Sequence, residues 1–507
     1  MTVMHSRNEQ LRQRILRIGE QERPALDDVI ARLPTIANRP TFLVAPQSYA
    51  GMVHGPRVVA NLRHVVAAVD DQSTHLDSVH GAPRWSSQEF LANAGQYPDA
   101  VAIDFSCSPR GRAFASNLCV TAHIKQLSVA PSLDPLIPNF EQRPLFFIQP
   151  RSGIGNIYAP QIVQHSPHVI AAVGDKPGDG DTVHGVPRWS WRQFVEQAAR
   201  HTNALAIDFS YSPEESGLAR KLCEQAGIAR VDACLAIAHC GLVAVYEPAQ
   251  VYRQRTLLRL DEFLRLADRL DDELSIFTLY SNLLFRLTYD SSFLRECWAT
   301  PVNEYFSTFA DGSTFQLGKR EHFCDGGAFE GPIVRKFLDA SRYQYESIAA
   351  FEPDRINFQK LQGVASDLPF LPRNLQTINK AISNEHTTLR FKETGTVSSH
   401  VSQDGEISVY TTRLDDELEK LTLLKLDIEG FEAKALEGAS RLIHTQRPRM
   451  AICVYHYAQD LLDVVGQLDK LVDGYHFRLR QHSPAHYYDL VLYASPVAGA
   501  APPPWAD

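Results

Sequence analysis

The stretch Phe323-Cys324-Asp325-Gly326-Gly327-Ala328-Phe329-Glu330-Gly331 is an apolar approach that ends in an acid and a glycine-rich bend. A helix-like run follows (Ile333 to Leu338), and a second apolar run, Ser347 to Phe351, closes in Glu352-Pro353-Asp354. Residues of these types in this order read as a nucleoside-binding βαβ unit. The glycines let backbone N–H groups and a helix N-terminus approach the ligand, and an acid ending the second strand accepts hydrogen bonds from ribose hydroxyls. The spacing D-x-G-A-x-x-G is not the dinucleotide fingerprint G-x-G-x-x-G. It suits S-adenosylmethionine, which has no pyrophosphate needing a third close glycine.

A second cluster follows about a hundred residues on. Leu423-Leu424-Lys425-Leu426-Asp427-Ile428-Glu429-Gly430-Phe431-Glu432 leads to Leu436-Glu437-Gly438-Ala439, and the apolar run Met450 to Val454 ends in Tyr455-His456. With Arg447-Pro448 and a closing strand around Asp489 to Ala494, the set resembles the FkbM family of S-adenosylmethionine-dependent methyltransferases over about Gln316 to Ala494. The resemblance implies a class I methyltransferase sheet of seven strands, doubly wound and mostly parallel, with an antiparallel last strand. Two positions depart from the commonest family pattern. Gly326 stands where a branched aliphatic is frequent, and Phe329 where asparagine is.

In such a sheet the ligand lies beyond the carboxyl ends of the strands. Asp325, Glu352, Asp427 and His456 fall at expected strand ends. The resemblance makes Asp325, Gly326, Gly327, Ala328, Phe329, Gly331, Glu352, Pro353, Asp354, Ser383 and Asn384 the cofactor-binding set. Gly327 and Gly331 would border the methionine part, Glu352 the ribose, and Ser383-Asn384 the adenine. Asp354 serves equally well as a helix cap. Methyl transfer asks the protein mainly to align acceptor and donor and to accommodate one proton. The expected catalytic residues are His456, Asp427 and Glu429. His456 suits a general base because imidazole titrates near neutrality, or it is a satisfied buried histidine. Asp427 and Glu429 could hold the acceptor hydroxyl, orient His456 or hold a cation. Glu429 could equally be a first-turn charge on the helix dipole. A hard cation asks for more oxygens, so no metal belongs to the expected set.

The N-terminal half is a tandem duplication. Arg39-Pro40-Thr41-Phe42-Leu43-Val44-Ala45-Pro46 returns 104 positions later as Arg143 to Pro150. The same offset relates His80 to Ser86 with His184 to Ser190, and Ala102 to Ser106 with Ala206 to Ser210. Each copy reads as strand, turn, helix, a second strand running to an acid (Asp71, Asp175), a G-x-P-R-W-S link with a helix, a strand ending Asp-Phe-Ser and a further helix. Alternating strands and helices imply small parallel sheets covered on both faces. The link Val-x-Gly-x-Pro-x-x-Ser resembles that of half-Rossmann nucleotide-sugar-binding modules. Neither copy keeps a full phosphate loop. Tyr158 stands where a third glycine would follow Gly153 and Gly155, and the first copy has Tyr49 and Gly51. The copies therefore either bind a nucleotide-linked or glycan substrate, or serve packing or homo-oligomer formation.

The expected division is a helical segment at 1–38, repeats at 39–142 and 143–249, a helical linker or lid at 250–315, the methyltransferase domain at 316–497 and a disordered, proline-rich tail at 498–507. Apolar content of 44%, charged content of 21% and a formal net charge of −9 fit a globular protein and argue against nucleic acid as the main partner. The most apolar window, Ala233 to Tyr246, is too short to span a membrane, and no apolar signal core opens the chain, so the cytoplasm is the expected compartment. Eight cysteines without a Cys-x-x-Cys read as buried reduced thiols. P-loop, G-x-S-x-G and H-E-x-x-H motifs are absent, and no βαβ opening fits a nicotinamide dehydrogenase. The expected function is an O-methyltransferase acting on a sugar hydroxyl of a glycan or nucleotide-linked sugar. The alternatives are a small polyketide or lipid-like acceptor, or a silent binding and assembly protein.

Overall fold

Short apolar runs in the N-terminal half become the strands β1 (Thr41–Val44), β2 (Val65–Val69), β3 (Ser78–Val79), β4 (Ala82–Trp85), β5 (Val101–Asp104) and β6 (Lys125–Ser128). Their counterparts are β7 (Leu145–Ile148), β8 (Val169–Val173), β9 (Thr182–Val183), β10 (Val186–Trp189), β11 (Leu205–Asp208) and β12 (Ala229–Asp232). The first sheet runs β3-β4-β2-β1-β5-β6 and the second repeats that order as β9-β10-β8-β7-β11-β12. The core repeats as well. Phe42 packs on Trp85, Phe90 and Tyr97, and Phe146 on Trp189, Phe194 and His201.

One element differs from the sequence expectation. The G-x-P-R-W segment, read as a link, is a strand (β4, β10) that pairs parallel to β2 or β8 and antiparallel to a two-residue strand before it. Its turn explains this. His80 and Gly81 have φ of 52° and 80°, and His184 and Gly185 have 53° and 78°. Two successive positive φ values fit a tight hairpin whose twist matches its strands.

The computed structural model describes residues 3–22, 31–46, 55–56, 58–71, 78–106, 109–128, 136–166, 168–174, 181–307, 314–367, 374–393, 400–401 and 405–497. Tyr49, Gly51, Asp175 and the tail 498–507 lie outside them. The chain forms two units, one of Gln13–Leu258 with Arg286–Asp290, the other of Met1–Arg12, Arg259–Phe285 and Ser291–Asp507. The N-terminal helix Val3–Glu22 thus contributes its first residues to the unit built mainly from the C-terminal half. Among the described residues no helix is long and apolar enough to cross a membrane. Among the described residues seven cysteines are free thiols, all but Cys240 buried.

The second unit holds β13 (His322–Gly326), β14 (Ser347–Phe351), β15 (Leu375–Ile378), β20 (Leu423–Leu426), β21 (Arg449–Cys453), β22 (Tyr475–Gln481) and β23 (Leu490–Pro496). They lie in the order β15-β14-β13-β20-β21-β23-β22, and only β23 runs antiparallel to its neighbours. The central strands are buried along nearly their whole length, so they read as largely apolar runs, with Asp325 and Lys425 the buried charged exceptions. The strand order reverses between β13 and β20, which opens a crevice beyond their carboxyl ends. A smaller sheet of β16 (Ala381–Ile382), β17 (Thr388–Lys392), β18 (His400–Val401) and β19 (Ile407–Thr412) borders this crevice. β15 and β16, only two residues apart in the chain, belong to different sheets.

Candidate functional site

Strand β13 ends in Gly326, and the chain then bends at Gly327 with φ 73°. A Cβ on Gly327 would lie 1.9 Å from the Asp427 carbonyl oxygen, so the neighbouring strand end leaves room for glycine alone. A Cβ on Gly326 would meet Leu426 and Ile382 at 2.8 and 2.9 Å, which explains why no branched aliphatic stands there. Gly327 and Ala328 donate their N–H groups to the Phe351 carbonyl at 3.1 and 2.9 Å, tying the loop to β14. Phe329 follows at φ 51°, a left-handed conformation that asparagine tolerates better than an aromatic.

Glu352 leaves the end of β14 and takes two backbone donors, Phe329 N–H at 2.8 Å and Asp354 N–H at 2.8 Å. Burial pushes its carboxyl up to about 7, with Asp354 adding to the rise. The two N–H groups and Lys425 oppose it. Gly327, Phe329, Phe351, Glu352, Pro353, Asn357, Lys380 to Ile382, Phe391, His400, Asp427 to Glu429 and Phe431 line one open pocket enclosing about 710 Å³, its mouth included.

The other expected residues have different surroundings. Asp325 is fully buried and faces its register partner Lys425 at 3.1 Å. Lys425, itself 3% exposed, also donates to the carbonyls of Gly326 and Gly327 at 3.0 and 2.7 Å. Asp325 therefore holds up the glycine bend through Lys425. Gly331 (φ 87°) opens the helix Pro332–Ser341 against Leu361 and Val364, and Asp354 caps the helix Arg355–Asp367 through the N–H groups of Ile356 and Asn357. Ser383 bonds Asn384, and Asn384 bonds Glu437, while Lys380, Ala381 and Ile382 form the adjoining pocket wall.

Asp427, Glu429 and His456 do come together. His456 Nε2 lies 3.3 Å from Asp427 Oδ1 and 3.2 Å from Glu429 Oε2, and its Nδ1 lies 3.3 Å from Glu432 Oε1. Asp427 also accepts from the Tyr455 hydroxyl at 3.1 Å and the Tyr305 hydroxyl at 3.4 Å. Burial alone would raise Asp427, but His456 and Lys425 outweigh it and hold the carboxyl well below the usual range. For the fully buried His456, burial would lower the ring's pKa. Glu432, Asp427 and Glu429 reverse this and hold the ring's pKa well above its ordinary value.

Sequence reasoning passed over Lys425, Glu432, Tyr305 and Tyr455 as site residues, along with Glu304, whose carboxyl burial and the charges of Asp489 and Asp427 push up to about 8. One signal was legible for Lys425: a charge inside a strand of otherwise apolar residues needs a buried partner. Glu304 had none, since it lies more than a hundred residues before Asp427 in an irregular segment.

Residues 327–479 match the family described as the methyltransferase FkbM domain. The crystal structure of the methyltransferase FkbM from Methylobacillus flagellatus KT is similar at 25% identity, over 71% of this chain and 95% of that one, with a TM-score of 0.59. An rRNA methylase from Streptococcus thermophilus is similar at 13% identity over 36% of this chain and 90% of that one, with a TM-score of 0.24. No curated protein matches the chain. Over residues 327–479 the second unit of this chain is thus similar to the methyltransferase FkbM domain, and its fold is that of class I methyltransferases.

Proposed function

We propose that the chain is an S-adenosylmethionine-dependent O-methyltransferase acting on a sugar hydroxyl of a glycan or nucleotide-linked sugar. The observation that carries the cofactor is the carboxylate of Glu352. It is fixed by two backbone donors at the wall of a pocket whose floor, at Gly327, has no room for a side chain. A pair of vicinal ribose hydroxyls suits such a fixed acceptor. Gly327 and Phe329 would border the rest of the nucleoside, and Ile382, Phe391 and Phe431 offer the apolar surface an adenine ring needs.

When bound, S-adenosylmethionine supplies the electrophilic methyl group. The chain's task is then to present one hydroxyl oxygen in line with it and receive the departing proton. Asp427 and Glu429, both on the pocket wall, would hold that hydroxyl, and Tyr305 and Tyr455 fix the orientation of Asp427. The sugar-nucleotide part draws support from a small pocket in the second repeat. Gln149, Arg151, Gly174 and Arg188 line it beyond the ends of β7 and β8, and two arginines there suit a diphosphate.

Calorimetry with S-adenosylhomocysteine tests the cofactor, with Glu352→Gln expected to weaken binding at least ten-fold. Equal affinity in the variant sinks the assignment. Transfer of a labelled methyl group to nucleoside-diphosphate sugars and oligosaccharides tests the acceptor, and inert sugars beside an active non-sugar hydroxyl would overturn that half.

A further inference from the structure

We propose that His456 Nε2, Asp427 Oδ1 and Glu429 Oε2 form a binding site for a divalent cation on the pocket wall, with Glu432 as the carboxylate behind the imidazole. Distance is the first argument. Charge-assisted N–H···O bonds run about 2.7–2.9 Å. Here the imidazole nitrogen stands 3.3 and 3.2 Å from its two carboxylate oxygens. Ligand atoms sharing an ion at about 2.0–2.2 Å stand about 3.0–3.4 Å apart, depending on the angle between them.

The second argument is the arrangement behind the ring. A metal-bound histidine usually gives its other N–H to a carboxylate, which fixes the tautomer and the ring plane. Glu432 is buried, lies 3.3 Å from Nδ1, and is itself pinned by the Ile428 N–H at 2.8 Å. That leaves Nε2 as the nitrogen aimed toward the two carboxylates that line the pocket.

Charge gives a third argument. Asp325, Asp427, Glu429 and Glu432 gather around a single lysine, Lys425, which is committed to Asp325, and around the His456 imidazole. Gathering more carboxylates than cations in a partly dry site is costly, and a dication offsets the excess. Two carboxylates and one imidazole suit a first-row divalent ion such as Mn²⁺. Three protein ligands leave positions open toward the pocket. On the methyltransferase reading above, on which this last step rests, vicinal hydroxyls of the acceptor would fill them.

The test uses the full chain stripped with EDTA and titrated with MnCl₂, read by electron paramagnetic resonance and calorimetry. One Mn²⁺ per chain is expected. Glu429→Gln and Asp427→Asn should each weaken it at least ten-fold, and Glu432→Gln by about ten- to a hundred-fold. Circular dichroism and thermal melting check that each variant is folded. A folded wild-type chain that binds no Mn²⁺, or binding unchanged in both ligand variants, overturns the proposal. S-adenosylhomocysteine binding measured on the same samples reports separately on the cofactor site, so a chain that binds the nucleoside but no Mn²⁺ refutes the cation alone.

Discussion

At the scale of single residues, the site is built on one buried ion pair. Asp325 and Lys425 are opposite each other in register on the two strands that flank the switch in strand order. Lys425 also binds the carbonyls of the glycine bend, so one side chain couples strand pairing to loop shape. Removing the cation leaves a carboxylate in a dry interior. Lys425→Met should therefore cost about 3–5 kcal/mol in equilibrium denaturation, and adding Asp325→Asn should recover part of that loss, as contacting residues couple in a double-mutant cycle. Losses that simply add would show that the two side chains do not act as a pair. The motif made Asp325 visible in the sequence as a ligand contact. Its partner was not visible, because register between strands a hundred residues apart is a tertiary fact. Phe329 is a similar case: the sequence shows an unusual residue, and only the backbone shows that it occupies a left-handed position.

At the scale of elements, apolar runs ending in acids gave the central strands, because strands buried on both faces carry little else. Elements set by turn geometry were harder to see. The two-residue hairpins before β4 and β10 depend on a histidine at positive φ beside a glycine, a conformation uncommon outside glycine. The loop between β22 and β23 carries a consequence for pH. Burial holds His482 down to about 4, with Lys336 and Arg480 adding to the fall and bonds to Thr300 and Ala299 opposing it. His486 is fully buried, stacked on Tyr488 at 4.7 Å, and burial holds it down to about 3. Both folded values lie below the ordinary 6.5, so the unfolded chain binds these protons first. Their stabilisation is complete above about pH 6.5 and falls as pH drops toward the folded values, by about 1.4 kcal/mol per pH unit for each histidine. Glu304 and Glu352, whose raised carboxyls contribute with the opposite sign, are common to both proteins, so the stability difference between the intact chain and His486→Phe should change by about 1.4 kcal/mol per pH unit between about pH 6.5 and 5. Parallel curves for the two proteins would refute the assignment.

At the scale of the whole molecule, the order of segments in the chain is not the order of bodies in the fold. The duplication was legible because offset is a property of sequence alone, and the two sheets with the same strand order agree with it. The path of the N-terminal helix was not legible, since its mix of charge and leucine says nothing about what it packs on. Its first residues belong with the methyltransferase fold. Asn8 is 4% exposed and donates to the Glu273 carbonyl and carboxylate at 3.1 and 2.7 Å, while Arg7 pairs with Glu296 at 2.5 Å and lies over the Phe277 ring at 4.6 Å. The exposed ion pair contributes little, but the buried amide satisfies a carbonyl that would otherwise lose its partner. Asn8→Ala should therefore cost about 1–3 kcal/mol, and a chain lacking residues 1–12 should melt at a lower temperature even though every repeat and every pocket residue is retained. If that truncated chain melts with the intact protein, the helix is an appendage. If it melts earlier, any shortened chain that begins after the repeats fails for want of this helix, and its inactivity says nothing about whether the repeats hold substrate.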